Sequence, residues 1–133
     1  MSSISLEEAN RIIEASTAKA RELGHNMAVA VVDTEMSLVA LARMDGTVGF
    51  APDIVRGKAM ATVVTNGMPS GAAAERFPDR LREPVSAMYG GRVAWLQGAV
   101  PIKREGVIIG AVGAGGGPPD QDEIVAQAGA DAL

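Results

Sequence analysis

The chain contains no cysteine, which excludes a disulfide framework, a thiol nucleophile and a thiolate metal site. Histidine is almost as scarce, His25 being the single one. A structural zinc site would have to complete that imidazole with carboxylates, an uncommon ligand set, so no metal site is expected. A Ser–His–Asp triad would need the same residue, and no GxSxG elbow accompanies it. Aromatic residues make up 3% of the chain and the formal net charge is −4. A nucleic-acid binder would carry a basic excess and faces for base stacking, so nucleic acid is not an expected partner. No run approaches the roughly 18 apolar residues of a spanning helix. The opening residues MSSISLEEANRI hold no apolar signal-peptide core. No membrane partner is expected, and a cytoplasmic location is the default.

What remains is 133 residues, 47% of them hydrophobic, which reads as one domain across 1–133 without repeat or linker. The apolar mass is Ala, Val, Ile and Met. Small side chains let backbones approach closely, but each buries little area. At about 25 cal/mol per Å² such a core stabilises a monomer modestly. Burial in a homo-oligomer is the expected supplement.

Residues 5–23 read as a helix. Ser5 and Glu8 have capping-box spacing, Leu6, Ala9, Ile12, Ile13, Ala20 and Leu23 approximate a 3.6-residue stripe, and Gly24 supplies the stop. The run Met27–Val32 predicts a buried strand, with Leu38–Ala42 as its hairpin partner across Asp33–Ser37. Pro52 can open a second helix, whose apolar side is Ile54, Val55, Ala59 and Thr62. From Ala72 to Gln97 the pattern predicts a short Ala-rich helical turn, then a charged segment with Phe77, Tyr89 and Trp95 that could loop over a ligand site. Ala99–Lys103 and Val107–Val112 read as a hairpin around Arg104-Glu105-Gly106. A last helix begins near Asp120, with Asp120 and Glu123 at capping-box spacing. Hairpins alternating with helices predict an α+β fold with an antiparallel sheet covered by helices.

The run GAVGAGGGPPD, including Gly115 and Gly116, invites a phosphate-loop reading, because glycines before a helix expose backbone donors. It lacks the Gly-Lys-Ser/Thr of a P-loop and is not GxGxxG. Asp120, Asp122 and Glu123 would also repel a phosphate from that helix end. A tight turn with close packing is the simpler reading, a ligand-lining backbone the other. His25 follows the helix-stopping Gly24. It reads either as a C-terminal cation favoured by the helix dipole or as a base or axial ligand. Arg43 and Asp45 flank Met44 on one strand face, where they could pair or jointly hold a polar ligand. Lys58 lies beside the apolar stripe of the second helix. It either snorkels along the core edge or is desolvated next to Asp33 or Asp45. Asp33 ends a buried strand, where capping the following turn is its natural work.

Six segments in order then carry a resemblance: VAVVD at 29–33, LARMDG at 41–46, GKAMAT at 57–62, GAVPI at 98–102, VIIGAVGAGGG at 107–117 and DQDEIVAQAG at 120–129. Together they resemble the GlcG/HbpS family of haem-binding or haem-degrading proteins, which includes PduO-type C-terminal domains. The resemblance implies a profilin-like sandwich with about five antiparallel strands, assembled as dimers to octamers. The chain departs from the family pattern in three places. Met36 stands where an Asp-x-x-Gly turn is common, Gly98-Ala99 where Gly-Gly is common, and Ala114-Gly115 where a Gly-x-Ser-Gly-Gly run would supply a hydroxyl.

Three functions follow as expectations. The first is a haem- or tetrapyrrole-binding protein for storage, sensing or degradation, with His25 as the only imidazole ligand and Gly115, Gly116 and Asp122 near the cofactor. The second is an isomerase- or hydratase-like enzyme on an oxygenated or carboxylate metabolite. There Arg43 would hold the acid, Asp33, Asp45 or Glu123 would move a proton, and Lys58 would join them. The third is a non-catalytic ligand sensor or accessory subunit. All three place these residues around one small-molecule cavity.

Overall fold

A computed structural model describes residues 3–133 of the chain. In chain order the elements are α1 (Leu6–Glu22), β1 (Ala28–Asp33), β2 (Leu38–Arg43), α2 (Ala51–Val64), α3 (Ser70–Arg76), α4 (Asp79–Met88), β3 (Ala99–Arg104), β4 (Val107–Gly115) and α5 (Pro119–Ala130). The strands form one antiparallel sheet in the order β2-β1-β4-β3. The described residues thus hold four strands, not about five. Of the segment 72–97, expected to be a helical turn and then part loop, the residues up to Met88 fold as α3 and α4, and 89–97 are the loop.

Strand alternation explains the layers. Val29 and Val31 of β1, with Val112 and Ala114 of β4, join the cluster containing Ile12, Ile13 and Val125 of α1 and α5. The other face of β1, Ala28 and Ala30, packs on Ala51 and Val55 of α2. Val32 and Ala111 meet Ala59 there. Period two therefore splits each central strand between two helical layers. This is why β1 reads as a continuous apolar run. The small residues serve close approach on the α2 side. A Cβ on Gly113 would come 2.2 Å from the Val55 carbonyl oxygen, so only glycine lets α2 lie this near the sheet.

The ends of the elements follow local chemistry. The Ser5 hydroxyl accepts from the Glu8 N–H at 3.1 Å, and the Glu8 carboxylate accepts from the Ser5 N–H at 3.0 Å, completing the capping box of α1. Leu6, counted in the apolar stripe, is exposed, and the buried face of α1 carries Ser16 and Thr17 in its place. The Ser16 hydroxyl donates to the Val125 carbonyl at 2.8 Å, which ties α1 to α5. Asp33 caps the β1–β2 turn, its Oδ1 accepting from the Glu35 and Ser37 amides at 2.9 and 3.0 Å. Met36 holds the left-handed conformation there, with φ of 64°. Between β3 and β4, Glu105 and Gly106 both have positive φ, as a two-residue hairpin loop requires.

The Asp120–Glu123 capping box does not form. Pro118 is the N-cap of α5, without a side-chain bond, and Pro118-Pro119 start the helix two residues earlier than the acidic spacing suggests. The first-turn acid that is used is Asp122.

Candidate functional site

Lys58 lies one turn after Val55 on α2, on the side that faces the sheet, and is 4% exposed. Its Nζ donates to the Asp122 carboxylate (Oδ2) at 3.1 Å and to the Ala114 carbonyl at 3.0 Å. Asp122 is equally buried, and its Oδ1 accepts from the Gly117 N–H at 3.0 Å. The carboxylate also sits in the first turn of α5, where the helix dipole favours negative charge. Lys58 is therefore desolvated, and its partner is Asp122 rather than Asp33 or Asp45. A chain separation of 64 residues between the two hid this pairing from local spacing. Two glycines make room for the ammonium. A Cβ would meet Nζ at 2.7 Å on Gly98 and at 3.1 Å on Gly115. Gly98, which sequence reasoning did not single out as a site residue, thus belongs to the environment of the pair.

A buried ion pair is weak as a stabilising device, because desolvation costs several kcal/mol per ion. Its position gives it another use. Lys58 and Asp122 border a cavity of about 340 Å³ whose apolar walls include Val48, Phe50, Ile54, Leu96 and Pro119, with the Gly115–Gly117 backbone beside the pair. An ammonium has three N–H donors, and two are engaged within the chain. The third can serve an oxygen in the cavity. At the mouth Phe50 is 65% exposed, with Val48 and Leu96 about half exposed. Clustered apolar exposure of this kind marks a binding surface more often than an idle one.

The other candidates take different places. Gly115 and Gly116 line the cavity with Asp122. Glu123 is not among the cavity walls but accepts from the side chain of the wall residue Gln97 at 3.4 Å. His25 is half-buried and hydrogen-bonded through Nε2 to the Gln121 side-chain oxygen. Its ring stands beside Gly117, within 3.4 Å of where a Cβ would be, but His25 is not among the cavity walls. Arg43 and Asp45 are exposed in a separate groove with Arg21, Asn26 and Met44, and among the described residues they form no ion pair with each other. Asp33 is at the opposite end of β1 from Ala28, whose register partner is the cavity residue Gly115. The structure thus gathers Lys58, Asp122, Gly115 and Gly116 at one cavity. It leaves Asp33 at the far end of β1, and it leaves Arg43 and Asp45 in their own groove, because β1 lies between Arg43 on β2 and Gly115 on β4.

Comparison with known proteins agrees with the fold. The family model described as "Haem degrading protein HbpS-like" matches residues 4–131. A double mutant of HbpS from Streptomyces reticuli superposes with a TM-score of 0.83 at 29% identity, covering 98% of this chain and 87% of that one. A PduOC–haem complex superposes at 0.80 with 20% identity, over 98% and 95% of the two chains, a likeness of fold. A 15.0 kDa protein from the dhaT–dhaS intergenic region of Citrobacter freundii is 27% identical over 98% of this chain and 92% of its own length.

Proposed function

The chain belongs to the HbpS-like family of haem-degrading proteins, and we propose that it binds a tetrapyrrole-class ligand as an apolar acid. One observation carries this reading: a buried ammonium with an unused donor on the border of an otherwise apolar, open-mouthed cavity. A ligand with a flat hydrophobic body and a carboxylate edge matches both features. The body would rest on Phe50, Val48 and Leu96, and a carboxylate would meet Lys58. The volume is at the small end of ligand sites, which run from about 300 to 1,000 Å³. One edge of a macrocycle therefore enters, and the remainder lies across the mouth.

The cavity walls contain no imidazole, phenol, thioether or thiolate, the side chains that ordinarily hold haem iron. His25 is committed to Gln121 outside those walls. The residues present fit the macrocycle and its acid edge but do not fit iron ligation from within the cavity. Affinity then resides in the organic ligand. Titrations of the purified protein with haemin and with metal-free protoporphyrin, read in the Soret band, are expected to give affinities within about threefold, unchanged in His25→Ala. Saturable binding of haemin alone, abolished in His25→Ala, would overturn this reading, as would no saturable binding of either.

A second reading draws on the same pair. An ammonium and a carboxylate 3.1 Å apart beside a cavity can exchange a proton with a bound carboxylate metabolite, as an isomerase or hydratase requires. Recovery of the bound ligand chemically unchanged after prolonged incubation supports the binding role, and conversion lost in Asp122→Asn supports the enzyme.

A further inference from the structure

A second concave site lies on the neighbouring part of α2. It has a volume of about 350 Å³ and is walled by Asp53, Ile54 and Arg56 of α2 and by the segment from Gly91 to Ala94. Two guanidinium groups, Arg56 and Arg92, border it. The Arg56 Nε is fully buried and has no hydrogen-bond partner. Asp53, one helical turn before Arg56, is an obvious acid to neutralise it, yet no ion pair between them forms among the described residues. Arg92 is likewise without an ion-pair partner among them. Neither guanidinium has a hydrogen-bond or ion-pair partner among the described residues, so the nitrogens of both that face the concavity are open to an acceptor from outside the chain.

Backbone contacts hold the segment that carries Arg92 against α2, which carries Arg56. Gly90 and Gly91 turn the chain after α4 with φ of 71° and 74°, and the Gly91 N–H donates to the Ser86 carbonyl at 2.8 Å. The Ala94 N–H then donates to the Gly57 carbonyl at 3.0 Å. At Gly57, a Cβ would fall 2.3 Å from the Arg92 carbonyl oxygen. Any side chain at residue 57 would therefore push Arg92 away from Arg56. This turn packs the Arg92 backbone against the residue next to Arg56 without using either guanidinium.

We propose that Arg56 and Arg92 form an oxyanion site for the carboxylate or phosphate group of a small metabolite. The site is separate from the Lys58 cavity, sharing only Ile54 with it, and does not depend on the tetrapyrrole reading. The planar guanidinium fork suits a two-oxygen acceptor, and with Asp53 the site carries one net positive charge, which favours an anion.

Calorimetric titration of the purified protein with inorganic phosphate and, separately, with acetate tests this and separates the two sources. Saturable binding of at least one anion is expected, weakened at least tenfold in Arg56→Gln and in Arg92→Gln and unchanged in Arg11→Gln, at an exposed arginine of α1 outside both cavities. Arg92 is exposed, so its substitution keeps the test valid if Arg56→Gln fails to fold. No saturable binding of either anion would overturn the proposal, as would binding that Arg92→Gln leaves intact. It would also fall if Arg92→Gln only dissociated an assembly of the protein without affecting anion binding.

Discussion

At the scale of single residues, the account turns on the Lys58–Asp122 pair. Lys58→Met leaves a buried carboxylate uncompensated and is expected to cost about 3–5 kcal/mol, whereas the apolar double replacement Lys58→Met/Asp122→Leu should cost much less. Urea unfolding of the three proteins checks it, and equal losses in single and double variants would contradict it. Gly115→Ala would push a methyl to 2.9 Å from a Val55 methyl and 3.1 Å from Nζ. A loss of about 1–3 kcal/mol is expected from that overpacking. The sequence made the position of Lys58 legible, because its spacing set it beside the stripe of Val55, Ala59 and Thr62. It made Asp33 legible as a turn cap. Which acid met Lys58 was not legible, since that contact depends on how α5 lies over the far side of β4. The glycines of the 113–117 run were read as possible ligand contacts or tight packing. In the structure Gly113 serves close packing, Gly115, Gly116 and Gly117 line the cavity, and the Gly117 amide donates to Asp122 rather than to an outside anion.

At the scale of elements, helix starts and turns were legible wherever local chemistry decides them. The Ser5–Glu8 box is one case. The Glu8 carboxyl is held below its usual value of 4.5, first by the hydrogen bond from the Ser5 backbone and then by the Arg104 side chain at the end of β3. A carboxyl lowered on folding contributes stability that is complete above the unfolded value and disappears as the pH falls through the folded one. The stability gap between wild type and Glu8→Gln is therefore expected to be widest near neutral pH and to close in acid. A gap independent of pH would contradict it. The β3–β4 loop offers a gain. Glu105 is exposed and left-handed with φ of 51°, a conformation asparagine adopts far more readily. Glu105→Asn should raise the unfolding free energy by about 0.5 kcal/mol. The segment from 72 to 97 was the least legible. No residue of α4 is buried, although Leu81, Val85 and Met88 recur at helical spacing, and Pro84 stands inside the helix, where a break is expected instead. Phe77 and Trp95, which stack with centroids 4.6 Å apart, meet across 18 positions of chain. The α5 start was misread because alternating acids imitate a cap, while prolines set the true boundary.

At the scale of the whole molecule, the sheet of hairpins between helical layers was legible from the order of elements, and the resemblance to the GlcG/HbpS family extended it to the full chain. The abundance of alanine and glycine, read as a core in need of a partner, has a cause inside the chain: it lets α2 lie against β1 and β4. The exposed Phe50, Val48 and Leu96 still favour assembly. Sedimentation equilibrium is expected to give a species larger than one chain, weakened by Phe50→Glu, and a monomer at tens of micromolar would contradict it. The central claim, that an apolar cavity captures its ligand's acid group with a buried ammonium, is tested most directly by titrating metal-free protoporphyrin against the fluorescence of Trp95, the only tryptophan. Saturable quenching is expected in the wild type and should weaken at least tenfold in Lys58→Gln/Asp122→Asn, which keeps a neutral hydrogen bond in place of the ion pair. Quenching of equal affinity in that folded variant would contradict the account.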